Sequence, residues 1–403
     1  MNAADNAWVL AASALVLLMT PGLAMFYGGL TRSKNVLSTM MHSFFLMGLA
    51  SAVWFVYGFS LSFGSDAFGG LLGGLEHFAL RGVGGQLWPE QTIPAATFMI
   101  FQCMFAIITP ALISGAFAER MKFSSFIVFM LLWMTFVYCP IAHWVWGSGG
   151  WLARLGALDF AGGTVVHVNS GIAALACALV VGKRKGYGTL PMIPHNVTLT
   201  LLGAGLLWFG WFGFNAGSAL KANESAAMAF VVTHMAASMG ALAWVFSEWI
   251  IKGKPTTLGA ASGAIAGLAT ITPAAGYVGP GSAIIIGILA GVVCYLAVLA
   301  KTNLGYDDAL DVVGIHGVGG ALGTLAIGFF ACKAIGGTDG LFFGNVSQLG
   351  PQILAVLATG IYSLVVTLII LYIVKAVMGL RVSTEEEEVG VDTSAHGEAA
   401  YNL

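Results

Sequence analysis

The chain has 403 residues, 58% of them apolar and only 8% Asp, Glu, Lys or Arg. Soluble domains carry roughly 25% charged residues, so a soluble multidomain enzyme is excluded and the solvent is lipid. Eighteen acidic and sixteen basic residues give a net charge of −2, which leaves no basic footprint for nucleic acid.

The N-terminus, Met-Asn-Ala-Ala-Asp-Asn, lacks the basic leader of a signal peptide. The first apolar run is therefore read as a retained span, with cleavage near Ala11 or Ala12 as the alternative. A helix crosses the hydrocarbon core of about 30 Å with about 20 mostly apolar residues. Eleven stretches qualify: 8–30, 37–63, 95–118, 124–146, 162–182, 196–219, 225–251, 257–277, 281–300, 309–332 and 351–378. The Gly-rich segment 64–94, with Glu76, His77 and Arg81, reads as a long loop. The fold class is an all-α polytopic membrane protein. Residues 1–378 form the membrane domain and 379–403 a tail. The five cysteines (Cys103, Cys139, Cys177, Cys294, Cys332) lie in apolar runs without CxxC or zinc-like spacing and read as buried free thiols; no metal or cofactor is implied.

Loop charges set the orientation. Twelve of the sixteen basic residues follow odd-numbered spans: Arg32, Lys34, Arg120, Lys122, Lys183 to Lys185, Lys252, Lys254, Lys301, Lys375 and Arg381. The positive-inside rule then puts the N-terminus outside and the C-terminus inside a cell membrane, which requires an odd span count. Glycine, at 55 residues, recurs as small-xxx-small, as in Gly259, Gly263 and Gly267, and predicts close helix packing.

Ionisable groups within spans are costly and point to function. His167 follows Asp159 by eight residues and His316 follows Asp308 by eight, so each lies about 12 Å along its helix. Span 5 starts outside and span 10 inside, which brings both histidines near the midplane from opposite faces. An inverted repeat of spans 1–5 and 6–10, with span 11 added, accounts for that match and puts a substrate site between the halves. Two unrelated histidines bonded to backbone carbonyls are the plainer alternative. Phe101 to Phe105, His143 to Gly147 and Trp211 to Ser218 all fall in the outer half. Tryptophan there is ordinarily an interface anchor, but rings facing a cavity form a cation-binding box, worth up to about 2 kcal/mol when desolvated.

These segments resemble the ammonium transporter (Amt/MEP/Rh) family, on its Amt branch. The matching strings are Phe26-Tyr27-Gly28-Gly29-Leu30, Ala118-Glu119-Arg120, Asp159 to Gly163 with His167, Trp211 to Ser218, Gly314-Ile315-His316-Gly317, and Gly379-Leu380-Arg381. The resemblance implies a homotrimer with one pore per subunit that carries ammonium or ammonia. It implies that Phe105, Trp146 and Ser218 recruit ammonium, that Phe105 and Phe214 gate the pore, and that His167 and His316 line it. Asp159 is implied as the carboxylate that supports the outer site. Trp144 competes with Trp146 for the recruiting role; Trp146 is preferred because it directly precedes the glycine of its motif.

Composition alone makes the acidic, turn-rich tail solvated and disordered. The resemblance instead makes Asp392, His396, Gly397 and Glu398 part of a regulatory tail that couples the pores to a PII-family signal protein. Gly314 to Gly320 is glycine-rich but lies in a span, and neither a Walker motif nor a nucleophile elbow occurs, so the chain is read as a transporter and not an enzyme. An ammonium sensor on the same fold, a Rh-like gas channel and a bis-histidine haem protein are the alternatives. Large extra cytoplasmic domains are frequent in such sensors, and the outer aromatic site favours the Amt branch over the Rh branch.

Overall fold

A computed structural model describes residues 1–401, in which eleven helices are long and apolar enough to cross a membrane. They are α1 (Ala3–Leu30), α2 (Ser33–Phe63), α3 (Ala95–Phe117), α4 (Phe123–Arg154, with a turn after Trp146), α5 (Gly163–Val181), α6 (Val197–Gly217), α7 (Glu224–Lys252), α8 (Thr257–Ala274), α9 (Pro280–Leu304), α10 (Val313–Phe330) and α11 (Val346–Met378). Two short tail helices follow, α12 (Thr384–Val389) and α13 (Val391–His396). Each expected span is present, and the described residues hold no sheet, only isolated bridges such as Leu87 to Pro94. All five thiols are free; four are buried and Cys332 is half-buried.

Boundaries move where polar caps extend a helix beyond its apolar run. α1 begins at Ala3 rather than 8 because the Asn2 side chain accepts from the Ala4 and Asp5 N–H groups at 2.9 and 3.2 Å. Asp5 in turn accepts from Ala222 N–H at 2.8 Å and Thr92 Oγ1 at 2.5 Å, which ties this turn to two loops. α11 begins five residues before its expected start, and there the Gln348 and Gln352 amides donate to the carbonyls of Gly156 and Leu158.

The centre of the bundle is the α1–α6 crossing. Gly203, Gly210 and Gly217 of α6 lie so close to Phe26, Met19 and Ala12 of α1 that a Cβ at any of them would collide. Lipid supplies no hydrophobic drive between helices, so this proximity gains its stability from dispersion. The Gly259, Gly263 and Gly267 stripe packs in the same way against Glu248, Trp244 and Ala236 of α7.

Four spans contain π-helical turns: Trp54–Gly58, Met134–Tyr138, Gly163–Val168 and Val313–Gly317. The last two carry His167 and His316. Each such turn inserts a residue and re-aims its neighbours, a feature frequent at functional sites.

The end of the bundle that carries the tail is polar and ordered. Arg120 is fully buried and donates to the carbonyls of Ala116, Gly182 and Asp307 at 2.9, 2.7 and 2.6 Å. Arg184 forms a fork onto Asp307 at 2.9 and 2.8 Å, and Arg32 pairs with Glu119. The tail docks on this surface, contrary to what composition alone predicts. Its carboxylates find specific donors: Asp392 is buried and accepts from Ser38 and Leu37 N–H at 2.7 and 2.9 Å, and so caps α2 from outside. A capping side chain of this kind contributes about 1 kcal/mol. Glu387 binds Arg381 at 2.6 Å, and Ser383 and Glu386 form a reciprocal capping box. The His396 ring meets Phe123 edge-on at 5.2 Å, Gly397 closes α13 with a positive φ of 67°, and Glu398 N–H donates to Asp392 O at 3.2 Å.

Candidate functional site: an aromatic vestibule above a histidine pair

At the opposite end, a cavity of about 720 Å³ opens beneath the 64–94 loop, which forms much of its wall. Phe105, Trp146, Ser218 and Asp159 line its floor, together with Gln102 and Tyr277. The Phe105 and Trp146 rings stand edge-to-face with centroids 5.8 Å apart. Trp146 is held by its indole N–H, which donates to Asp159 O at 2.9 Å. The Ser218 hydroxyl donates to Phe214 O at 2.8 Å, so its oxygen retains its lone pairs for a donor in the cavity. Trp144 takes no part in this wall. Its indole N–H donates to Leu71 O, and its ring packs against Trp151 and Tyr362.

Asp159 shapes the start of α5. Its Oδ1 accepts from Gly162 and Gly163 N–H, both at 2.7 Å. Its Oδ2 accepts from Thr164 N–H at 2.7 Å, Thr164 Oγ1 at 2.5 Å and Val165 N–H at 3.3 Å. Gly162 has a φ of 121°, a conformation that an L side chain adopts only under strain, and this lets the chain fold back over the carboxylate. Burial pushes the Asp159 carboxyl up, while the Thr164 hydroxyl and the backbone N–H groups pull it down.

Below the vestibule Phe105 packs against Phe214 with centroids 4.4 Å apart and planes tilted by 42°, closing the floor. Beneath that pair a cavity of about 10 Å³ is lined by His167, His316, Trp211, Phe214, Phe26 and further apolar side chains. Such a volume admits about one water-sized molecule. The two imidazoles lie nearly parallel, 19° apart, with their Nδ1 atoms 3.2 Å from each other. One ring must donate and the other accept, so the neutral pair shares one proton. His167 Nε2 is buried without a partner. Trp211 covers the His167 ring at 5.7 Å and is fixed by its own N–H bond to Thr272 Oγ1 at 2.8 Å.

The histidines meet because α5 and α10 cross at glycines: a Cβ on Gly171 would overlap the backbone of Gly317 and His316. Gly171→Ala is expected to force the helices apart, cost about 1–3 kcal/mol as an overpacked core does, and lower transport about tenfold. Melting temperature and liposome flux check this; wild-type values in both would contradict it.

The residues singled out in the sequence thus fall into three places. Phe105, Trp146, Ser218 and Asp159 meet in the vestibule, with Phe105 also paired to Phe214 in its floor. His167 and His316 meet below. Asp392, His396, Gly397 and Glu398 lie at the far end. Trp211 and Gln102 lie inside segments that sequence reasoning singled out, but neither was given a role of its own, and the 64–94 segment reads only as a long loop. The Arg184–Asp307 and Arg32–Glu119 pairs are equally hidden, although Glu119 and Arg120 stand in a motif string.

A helical membrane bundle with a narrow apolar passage beneath an aromatic vestibule is the architecture of a small-solute conduit. A model described as "Ammonium Transporter Family" matches residues 7–401. Curated relatives include an ammonium transporter of Bacillus subtilis, 52% identical over 100% of this chain and 99% of that protein. Another is ammonium transporter Amt1 of Archaeoglobus fulgidus, 50% identical over the full length of both. Among solved structures, Mep2 of Candida albicans superposes with a TM-score of 0.92 at 41% identity, covering 100% of this chain and 91% of that one. A structure described as a sensor Amt protein gives a TM-score of 0.91 at 32% identity, covering 98% of each chain. The chain belongs to the ammonium transporter family.

Proposed function

We propose that the protein recruits ammonium at the outer vestibule, removes its proton there, and passes ammonia through the histidine-lined pore while the proton travels separately. The observation that carries this reading is the vertical order of the site: a wide aromatic cavity with an acceptor oxygen, then a closed phenyl pair, then a space for one water-sized molecule beside two hydrogen-bonded imidazoles. A bare charge at the bilayer centre costs several kcal/mol, whereas ammonia is neutral. Each ring of the neutral pair can donate or accept through Nδ1, so a proton can pass along the shared hydrogen bond.

Discrimination against potassium follows from the Ser218 oxygen, which needs an N–H donor that potassium lacks. Ser218→Ala is expected to weaken ammonium about tenfold and potassium far less, because one hydrogen bond to a charged group is worth about 1.5–3 kcal/mol. Current against ammonium concentration checks this, and an unchanged half-saturation value would contradict it.

Orientation follows the basic residues: the tail end faces the cytoplasm and the vestibule the outside of the cell membrane. The eight-residue spacing of Asp159 to His167 and Asp308 to His316, each reaching a π-helical turn, supports the inverted repeat of spans 1–5 and 6–10. Residues 1–378 act as the transport domain of a homotrimer. Residues 379–403 act as the regulatory tail, with Asp392, His396, Gly397 and Glu398 joining it to the inner surface, where a PII-family protein docks. Identity near 50% to proteins named as transporters, against 32% to the sensor, favours transport over sensing and over an enzymatic role.

A further inference from the structure

The two acidic residues that precede the histidines occupy matching positions but are satisfied very differently. Asp159 accepts five hydrogen bonds over its two oxygens. Asp308 is still more enclosed, at 0% exposure, yet its one well-formed hydrogen bond is from the Val313 N–H to Oδ2 at 2.8 Å, with the Val312 N–H acting more weakly on the same carboxylate. Its Oδ1 is buried and accepts from nothing. An unpaired carboxylate oxygen in a protein interior is costly unless it serves a purpose. A charged pair near the surface lies beside the Asp308 main chain, not bonded to Oδ1 itself. Lys301 Nζ donates to the Asp308 carbonyl at 2.7 Å and also pairs with Asp311, whose side chain is 34% exposed.

From this geometry we infer that Asp308 is the exit carboxylate for the proton, taking it from the His167–His316 pair and releasing it at the inner face. The inference rests on the separate proton route proposed above. The N–H bond on the pair breaks as an Oδ1–H bond forms, which neutralises the carboxylate. That O–H bond then breaks to give the proton to water beside Asp311. Asp308 lies five residues before the start of α10 at Val313 and shares no hydrogen bond with His316, so the proton is relayed to it by water.

The surroundings suit the role. Burial is the main cause that pushes the Asp308 carboxyl up to about 6; Lys301 opposes it and Asp311 adds to it. The other charged or titratable groups that face it are Tyr27 of α1, Cys177 of α5, Arg120, Arg184 and Tyr306. Above pH about 6 the carboxylate is ionised and free to accept, and below it the site is already filled.

The test uses the full-length protein in liposomes, with ammonium-evoked current and internal alkalinisation recorded on the same preparation. For Asp308→Asn the charge moved per ammonia conducted is expected to fall at least tenfold, with Asp308→Glu recovering most of it. In the unmutated protein the current should also drop as internal pH is lowered through about 6. A purely structural Asp308 would lower current and flux together and leave their ratio and the pH profile unchanged, and that result overturns the inference. A normal ratio in Asp308→Asn overturns it too. If Asp308→Asn is normal while the double histidine variant loses its current, only the exit role fails. If the double variant also keeps its current, the histidine route itself fails.

Discussion

Ammonium-evoked current is expected to fall at least tenfold in the His167→Ala, His316→Ala double variant, while ammonia still crosses. Both rings sit in the passage of about 10 Å³, and their Nδ1 atoms share one hydrogen bond at 3.2 Å. Phe26, Phe214, Trp211, Met19 and aliphatic side chains otherwise line it, none of which can hold a proton. Removing both imidazoles leaves the proton to cross as a bare charge, at a cost of several kcal/mol, and about 1.4 kcal/mol already slows a step tenfold. Ammonia meets no such cost, and the space left by two rings widens its path. Capacitive current and internal pH measured together separate the two species. A double variant with wild-type current would rule out the histidine route.

The largest expected loss of stability is in Asp159→Ala. Four backbone N–H groups and the Thr164 hydroxyl converge on this one carboxylate in a buried turn. A buried donor left without a partner costs about 1–3 kcal/mol; neighbouring losses do not add fully, and water entering from the vestibule recovers part, so a net cost of ~4 kcal/mol is expected. The turn also carries the Asp159 carbonyl that anchors Trp146, so recruitment should weaken with stability. Asp159→Asn keeps one acceptor oxygen and should fall between the two. Thermal melting in detergent checks the order, and an Asp159→Ala protein within ~2 °C of wild type would contradict it.

The membrane architecture was legible because hydrocarbon thickness imposes runs of about 20 apolar residues, and all eleven are helices. The histidine pair was legible for a similar reason: a titratable group deep in a span stands out, and the common eight-residue spacing from an acid gave both the same depth. What brings the two rings into contact was not legible. It depends on π-helical turns at Gly163–Val168 and Val313–Gly317, which leave no periodic trace, and on the contact of Gly171 with Gly317 between helices far apart in sequence. The early start of α1 was missed because Asn2 and Asp5 look like a solvated terminus until Ala222 and Thr92 are found beside them. The tail misled composition in the same way. Its glutamates look solvated in isolation, and only the folded chain brings Arg381 to Glu387 and the start of α2 to Asp392.

The most direct test of charge-coupled, ammonium-selective transport is capacitive current from the purified protein in liposomes, after a pulse of ammonium and then one of potassium, with internal pH followed at the same time. Vestibule, phenyl floor and histidine pair together predict current with ammonium alone. Equal current from potassium would contradict selection by hydrogen bonding at Ser218. Internal alkalinisation without any current would contradict the separate proton route and leave the pore a conduit for neutral ammonia.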